Sequence, residues 1–153
     1  MADQDKALRV GAVLMVVGAL IFFVYAVVFF FRSFGTGFEI GVPTLNGVTP
    51  ANLDALNPAI TGYIRHLHLA TAGFIAATAI AVGALAWYGV RAGAWWAWIA
   101  AVAAPVVGLA VALPMHYTGV FEHDWVSHLG PIYVGTLIYV AGALVGLKRL
   151  VTR

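Results

Sequence analysis

Residues 10–31, VGAVLMVVGALIFFVYAVVFFF, contain no charged side chain and one hydroxyl, that of Tyr25. A helix rises about 1.5 Å per residue, so a run of this length covers the roughly 30 Å of hydrocarbon in a bilayer. With no water there to satisfy backbone N–H and C=O groups, a helix answers by pairing them internally. The stretch is therefore read as a membrane-spanning helix.

Three more runs follow the same pattern: Leu69–Tyr88, Ala94–Leu113 and Leu129–Leu147. Over the 153 residues, 63% are hydrophobic and 9% charged, against about a quarter charged in an ordinary soluble domain. That is too little charge to cover a water-facing surface. The expected fold is an all-α integral membrane protein, one domain over 1–153, with four transmembrane helices in an antiparallel bundle. Its spans fall at about 10–31, 58–88, 94–114 and 127–147, with a long loop, 32–57, between the first two. Lys6 and Arg9 precede the first run as in a signal peptide. The run is nevertheless longer than an h-region of about 7–15 residues, and no small-x-small site follows Phe31-Arg32, so a retained anchor is expected.

Lys6, Arg9, Arg91, Lys148, Arg149 and Arg153 flank the spans on one side. Because Lys and Arg favour cytoplasmic loops, both termini are expected in the cytoplasm. The other, extracytoplasmic side holds Arg32 and Arg65 with Glu39, Asp54, Glu122, Asp124 and all five histidines. A formal charge of +2 without a basic stripe argues against nucleic acid as a partner. The lack of cysteine excludes disulfides and thiolate metal sites.

The 32–57 loop has breakers at Gly35, Gly37, Gly41, Pro43 and Gly47, with Phe38–Thr44 as a short extended piece. Thr49-Pro50 opens a short interfacial helix and Asn57-Pro58 opens the second span. At about 100° per residue, His66 shares a small-residue stripe with Ala70, Gly73, Ala77 and Ala84, which is expected to face the bundle. His68 falls about 200° away on the same wheel. In the fourth span His128, Ile132, Gly135, Tyr139, Gly142 and Gly146 share an inward face suited to close helix approach. Trp95, Trp96 and Trp98 mark the cytoplasmic interface, Pro105 and Pro114 interrupt the third span, and Asp124 or Ser127 caps the fourth.

Chemistry concentrates in residues 114–129, PMHYTGVFEHDWVSHL. His66, His116 and His128, brought to one membrane depth by three helices, are expected to converge on a transition metal. Glu122, His123 or Asp124, from the loop above, would complete the coordination shell, with Glu122 or Asp124 as fourth ligand, orienting partner or general base. Imidazole suits zinc, copper and iron. Zinc with an open position activates water, whereas copper or iron points to an oxidoreductase or its cofactor-bearing subunit. Haem b between His66 and His128 is the second cofactor reading. No histidine lies in the cytoplasmic half, so a relay of haems across the membrane within this chain is excluded.

The plainer reading of a single imidazole is a helix-end polar group at the interface, and His68 and His123 are read that way. Tyr63, Tyr117, Tyr133 and Tyr139 are likewise read as interfacial or packing residues. A function of a different class fits the same residues: a non-catalytic accessory or assembly subunit, packing its glycine stripes against a membrane-protein partner or a second copy. A pH sensor built on the five imidazoles is a third reading. No carboxylate lies within a span, which argues against a proton-coupled transporter. No HxxxH or HxxHH box occurs, which argues against the membrane di-iron hydroxylases.

Overall fold

The computed structural model describes residues 2–35 and 41–152, and side chains from Lys6 onward within them. Four helical segments are long and apolar enough to cross a membrane: Lys6–Arg32, Ala59–Val90, Trp95–Tyr117 and Trp125–Val151. No strand occurs among the described residues. The elements are α1 (Ala2–Arg32), α2 (Pro50–Asp54), α3 (Ala59–Ala84), α4 (Trp95–Ala112) and α5 (Gly130–Val151). A π turn, Leu85–Val90, ends α3; a 3-10 turn, Leu113–Tyr117, extends α4; a second π turn, Trp125–Leu129, precedes α5.

Glycine decides which helices touch. A Cβ on Gly18 would lie 2.8 Å from the Gly135 carbonyl oxygen, and one on Gly142 would lie 2.6 Å from that of Gly11. The α1 and α5 backbones are therefore in direct contact, and this is the most extensive helix pairing in the fold. The inward face expected of the last span is present, with Gly135, Tyr139, Gly142 and Gly146 all buried. Another side of α1 meets α3. Met15, Ala19, Val82, Ala86, Val90, Ala101, Tyr139 and Ala143 form the core between the helices.

The face of α3 that meets α1 differs from the expected one. Ala72, Ala79 and Val82 are buried, with Ala86 just beyond, while His66, Gly73, Ala77 and Ala84 are exposed. A Cβ on Gly73 would have nothing within 4 Å. The helix carries two small-residue stripes, and the seven-residue recurrence 72, 79, 86 is the one that packs. His66 accordingly faces away from the bundle, and His68 turns inward with its ring 5.0 Å from that of Phe29.

Helix α4 is the least embedded. Its buried residues are Ala97 and Ala101, whereas α5 buries Gly135, Tyr139, Gly142, Ala143, Gly146 and Leu150. Two hydrogen bonds tie these helices together: Trp98 Nε1–H donates to the Ala143 carbonyl at 2.9 Å, and the Tyr139 hydroxyl donates to that of Ala101 at 2.8 Å. The second has a cause in the sequence. Pro105 lies inside α4 and has no N–H, so the carbonyl four residues earlier, Ala101, loses its helical donor. Tyr139 supplies the replacement from the neighbouring helix.

Residues 36–40, and with them Glu39 and the start of the expected extended piece, lie outside the described residues. From Gly41, at φ +69°, the chain instead turns into a 3-10 turn at Pro43–Leu45. Thr49 caps α2 through a reciprocal box with Asn52. Asn57 Oδ1 accepts the Ala59 N–H at 2.9 Å where α3 begins.

Candidate functional site

Two prolines and one carboxylate shape the site. Pro114 prevents a regular continuation of α4, which tightens into the Leu113–Tyr117 turn. His116 then folds back so that its Nδ1 lies 3.2 Å from the Ala112 carbonyl oxygen. A carbonyl only accepts, so this contact assigns the neutral ring's proton to Nδ1 and leaves a lone pair on Nε2. That Nε2 points at His128 Nε2, 3.1 Å away.

His128 is placed by the π turn before α5. Asp124 Oδ1 accepts the backbone N–H of Ser127 at 2.7 Å, that of Val126 at 3.1 Å and the Ser127 hydroxyl at 2.8 Å. These bonds, the Ser127 backbone N–H first, hold the Asp124 carboxyl below its ordinary pKa because they favour the ionised form. The Asp124 carbonyl in turn accepts the His128 N–H at 3.0 Å. Pro131, one residue into α5, occupies a position where no N–H is needed.

The connection between these two imidazoles is stitched to the distant 41–44 segment. Asp124 N–H donates to the Gly41 carbonyl at 2.6 Å and Glu122 N–H to Thr44 Oγ1 at 2.7 Å. Residue 41 must be glycine on two counts: its positive φ, and a Cβ there would collide with Ser127 Oγ.

His123 closes the group. Its ring centroid is 5.5 Å from that of His116, 6.0 Å from that of His128 and 4.6 Å from that of Trp125. Both of its ring nitrogens are enclosed and have no hydrogen-bond partner. Phe121 walls the group, 5.7 Å from His116, 6.0 Å from His123 and 6.5 Å from His128. At the rim the Tyr117 and Tyr133 hydroxyls bond to each other, and Trp125 stacks on Tyr133.

The structure thus brings His116 and His128 together and sets beside them His123, which the sequence offered as a completing loop ligand but which, taken singly, reads as a residue of an exposed loop. The signal for it was the company it keeps: Phe121 and Trp125, two residues to either side, are apolar rings that enclose it. His66 is exposed, and among the described residues it makes no ring contact or hydrogen bond with the others. Glu122 is exposed and contributes its backbone N–H, while Asp124 commits an oxygen to the cap. Among the described residues no three His, Asp or Glu side chains are arranged to close on one metal ion. Comparison with known protein families, with curated proteins and with solved structures finds no match for this chain.

Proposed function

We propose that the chain is a multi-pass protein of the cell membrane that binds one transition-metal ion through His116 and His128, with His123 as third imidazole. In this reading the bundle is antiparallel with both termini cytoplasmic, and the imidazoles and the 32–57 loop are extracytoplasmic. The Lys and Arg distribution supports that orientation.

The observation that carries the reading is the 3.1 Å separation of the two Nε2 atoms. Two imidazole nitrogens bound to one zinc or copper at about 2.0–2.1 Å stand roughly 3.3 Å apart in a tetrahedral shell. The Ala112 carbonyl on the far nitrogen of His116 is the kind of outer partner that fixes a metal-ligating tautomer. The unpartnered, enclosed nitrogens of His123 fit a third ligand that rotates in when the ion binds. Haem fits less well. Axial nitrogens on opposite faces of one iron stand about 4 Å apart with the macrocycle between them, and His66, the other expected axial ligand, points away. An all-imidazole set suits zinc, copper or iron. A bound copper or iron would make the chain an oxidoreductase or its metal-bearing subunit.

Metal analysis of protein purified without chelator tests this. Wild type and His66→Ala are expected to carry close to one ion per chain, and His116→Ala and His128→Ala to lose it. A metal-free wild type, or His116→Ala protein that retains its metal, overturns the reading.

One observation favours an accessory-subunit role alongside it. The outward stripe of α3 has open space over Gly62 and Gly73, where a partner's helix fits closely. Bulky Gly73→Leu protein that still co-purifies with the same membrane partner as wild type removes that support.

A further inference from the structure

From Thr118 to Asp124 the chain crosses the end of the bundle without regular structure, turning at Gly119 with φ +73°. Among the described residues, residues 119–123 make one hydrogen bond, from the Glu122 N–H to Thr44 Oγ1 at 2.7 Å. Two residues on, the Asp124 N–H donates to the Gly41 carbonyl. His123 is therefore carried between two bonds to a single short segment from a distant part of the chain.

That segment is a firm anchor. Val42 is buried, and Pro43 fixes the start of the Pro43–Leu45 turn. The Leu45 and Asn46 N–H groups close the turn onto the Val42 and Pro43 carbonyls at 3.0 and 2.9 Å. What the anchor holds is unfavourable by itself. Both ring nitrogens of His123 are enclosed without a hydrogen bond, and a polar group kept unpaired away from water costs free energy. Turned outward, the same nitrogens would meet water. Packing on Phe121 and Trp125 favours the inward position, but both of those rings belong to the same connection or its end and would move with it.

We infer that Thr44 is a positioning residue for the imidazole group: through the Glu122 N–H it keeps His123 beside His116 and His128, and so sets how tightly the three rings hold an ion. The second half of this inference rests on the metal reading above; the first half stands on the tether. Coupling between two binding events is reciprocal, so an ion that draws His123 in also tightens residues 119–123 onto the 41–44 segment.

The test uses the full chain in detergent, with zinc ion as the probe. Thr44→Val keeps the branched shape and removes the acceptor oxygen, whereas Thr44→Ser keeps the oxygen. By calorimetric titration Thr44→Val is expected to weaken zinc binding about three- to tenfold, the span of one ordinary hydrogen bond, and Thr44→Ser to bind as wild type does. In a His123→Ala background Thr44→Val should make no further difference, because the tether then has no ring to place. A second readout needs no metal: carbethoxylation of the metal-free protein by diethyl pyrocarbonate, mapped to each histidine by mass spectrometry. His123 is expected to react several-fold faster in Thr44→Val than in wild type, with the exposed His66 reacting alike in both. Thr44→Ala repeats both measurements should the valine protein not fold. Zinc binding by Thr44→Val that equals wild type, or that falls equally with and without the His123 ring, overturns the inference and leaves the metal reading standing. A wild type without zinc affinity fails the metal reading, and the reactivity of His123 then judges the tether alone: faster reaction in Thr44→Val upholds it, and equal reaction overturns it.

Discussion

The Ala112 carbonyl against His116 Nδ1 is a small contact with a large bearing on the site, since it settles which imidazole nitrogen carries the lone pair. The Asp124 cap has comparable reach, because it holds the turn that seats His128. Its carboxyl is depressed in the folded state, so the cap's contribution is complete above the ordinary carboxylate value and is lost as pH falls through the lower folded value. Unfolding temperatures of wild type and Asp124→Ala are therefore expected to differ at pH 6 and to converge in strong acid; a difference that persists there contradicts the assignment. Sequence reading singled out His116 and His128, and Asp124 or Ser127 as the cap, because each lies close to a proline or opens an apolar run. For His123 it favoured an exposed loop over a ligand position, because the burial of that ring comes from aromatic neighbours packing over a loop, an outcome no periodicity encodes.

Between elements, the bond from Tyr139 to Ala101 repairs a gap that Pro105 leaves in α4. Tyr139→Phe is expected to destabilise the protein by about 1–3 kcal/mol, the cost of orphaning a buried carbonyl. In a Pro105→Ala background the helix regains its own donor, so the same substitution should cost clearly less. A double-mutant cycle in detergent measures the coupling, and equal costs in both backgrounds count against the account. Gly142→Ala is expected to cost more than 1–3 kcal/mol, roughly the usual penalty of overpacking, because its Cβ meets backbone atoms at 2.6 and 2.7 Å. Gly73→Ala should be nearly neutral in the isolated chain. The inward face of α5 was legible because a single glycine stripe stands out there. On α3 two stripes of similar size compete, and only the presence of α1 beside Ala72 and Ala79 decides between them.

At the scale of the molecule, the four helices long and apolar enough to span a membrane were readable because lipid would impose one requirement on every residue within it, and run length reports that directly. Which helices become neighbours was not readable, since it depends on the fit of surfaces far apart in the chain. That arrangement has a consequence for how the protein is made. Helix α1 has its principal partner in α5, made after α2, α3 and α4, and the Gly41 and Thr44 stitches likewise wait for residues 122–124. Until α5 is made, the glycine face of α1 lacks that partner, so chains stopped before residue 130 should be degraded by membrane proteases faster than chains that include α5.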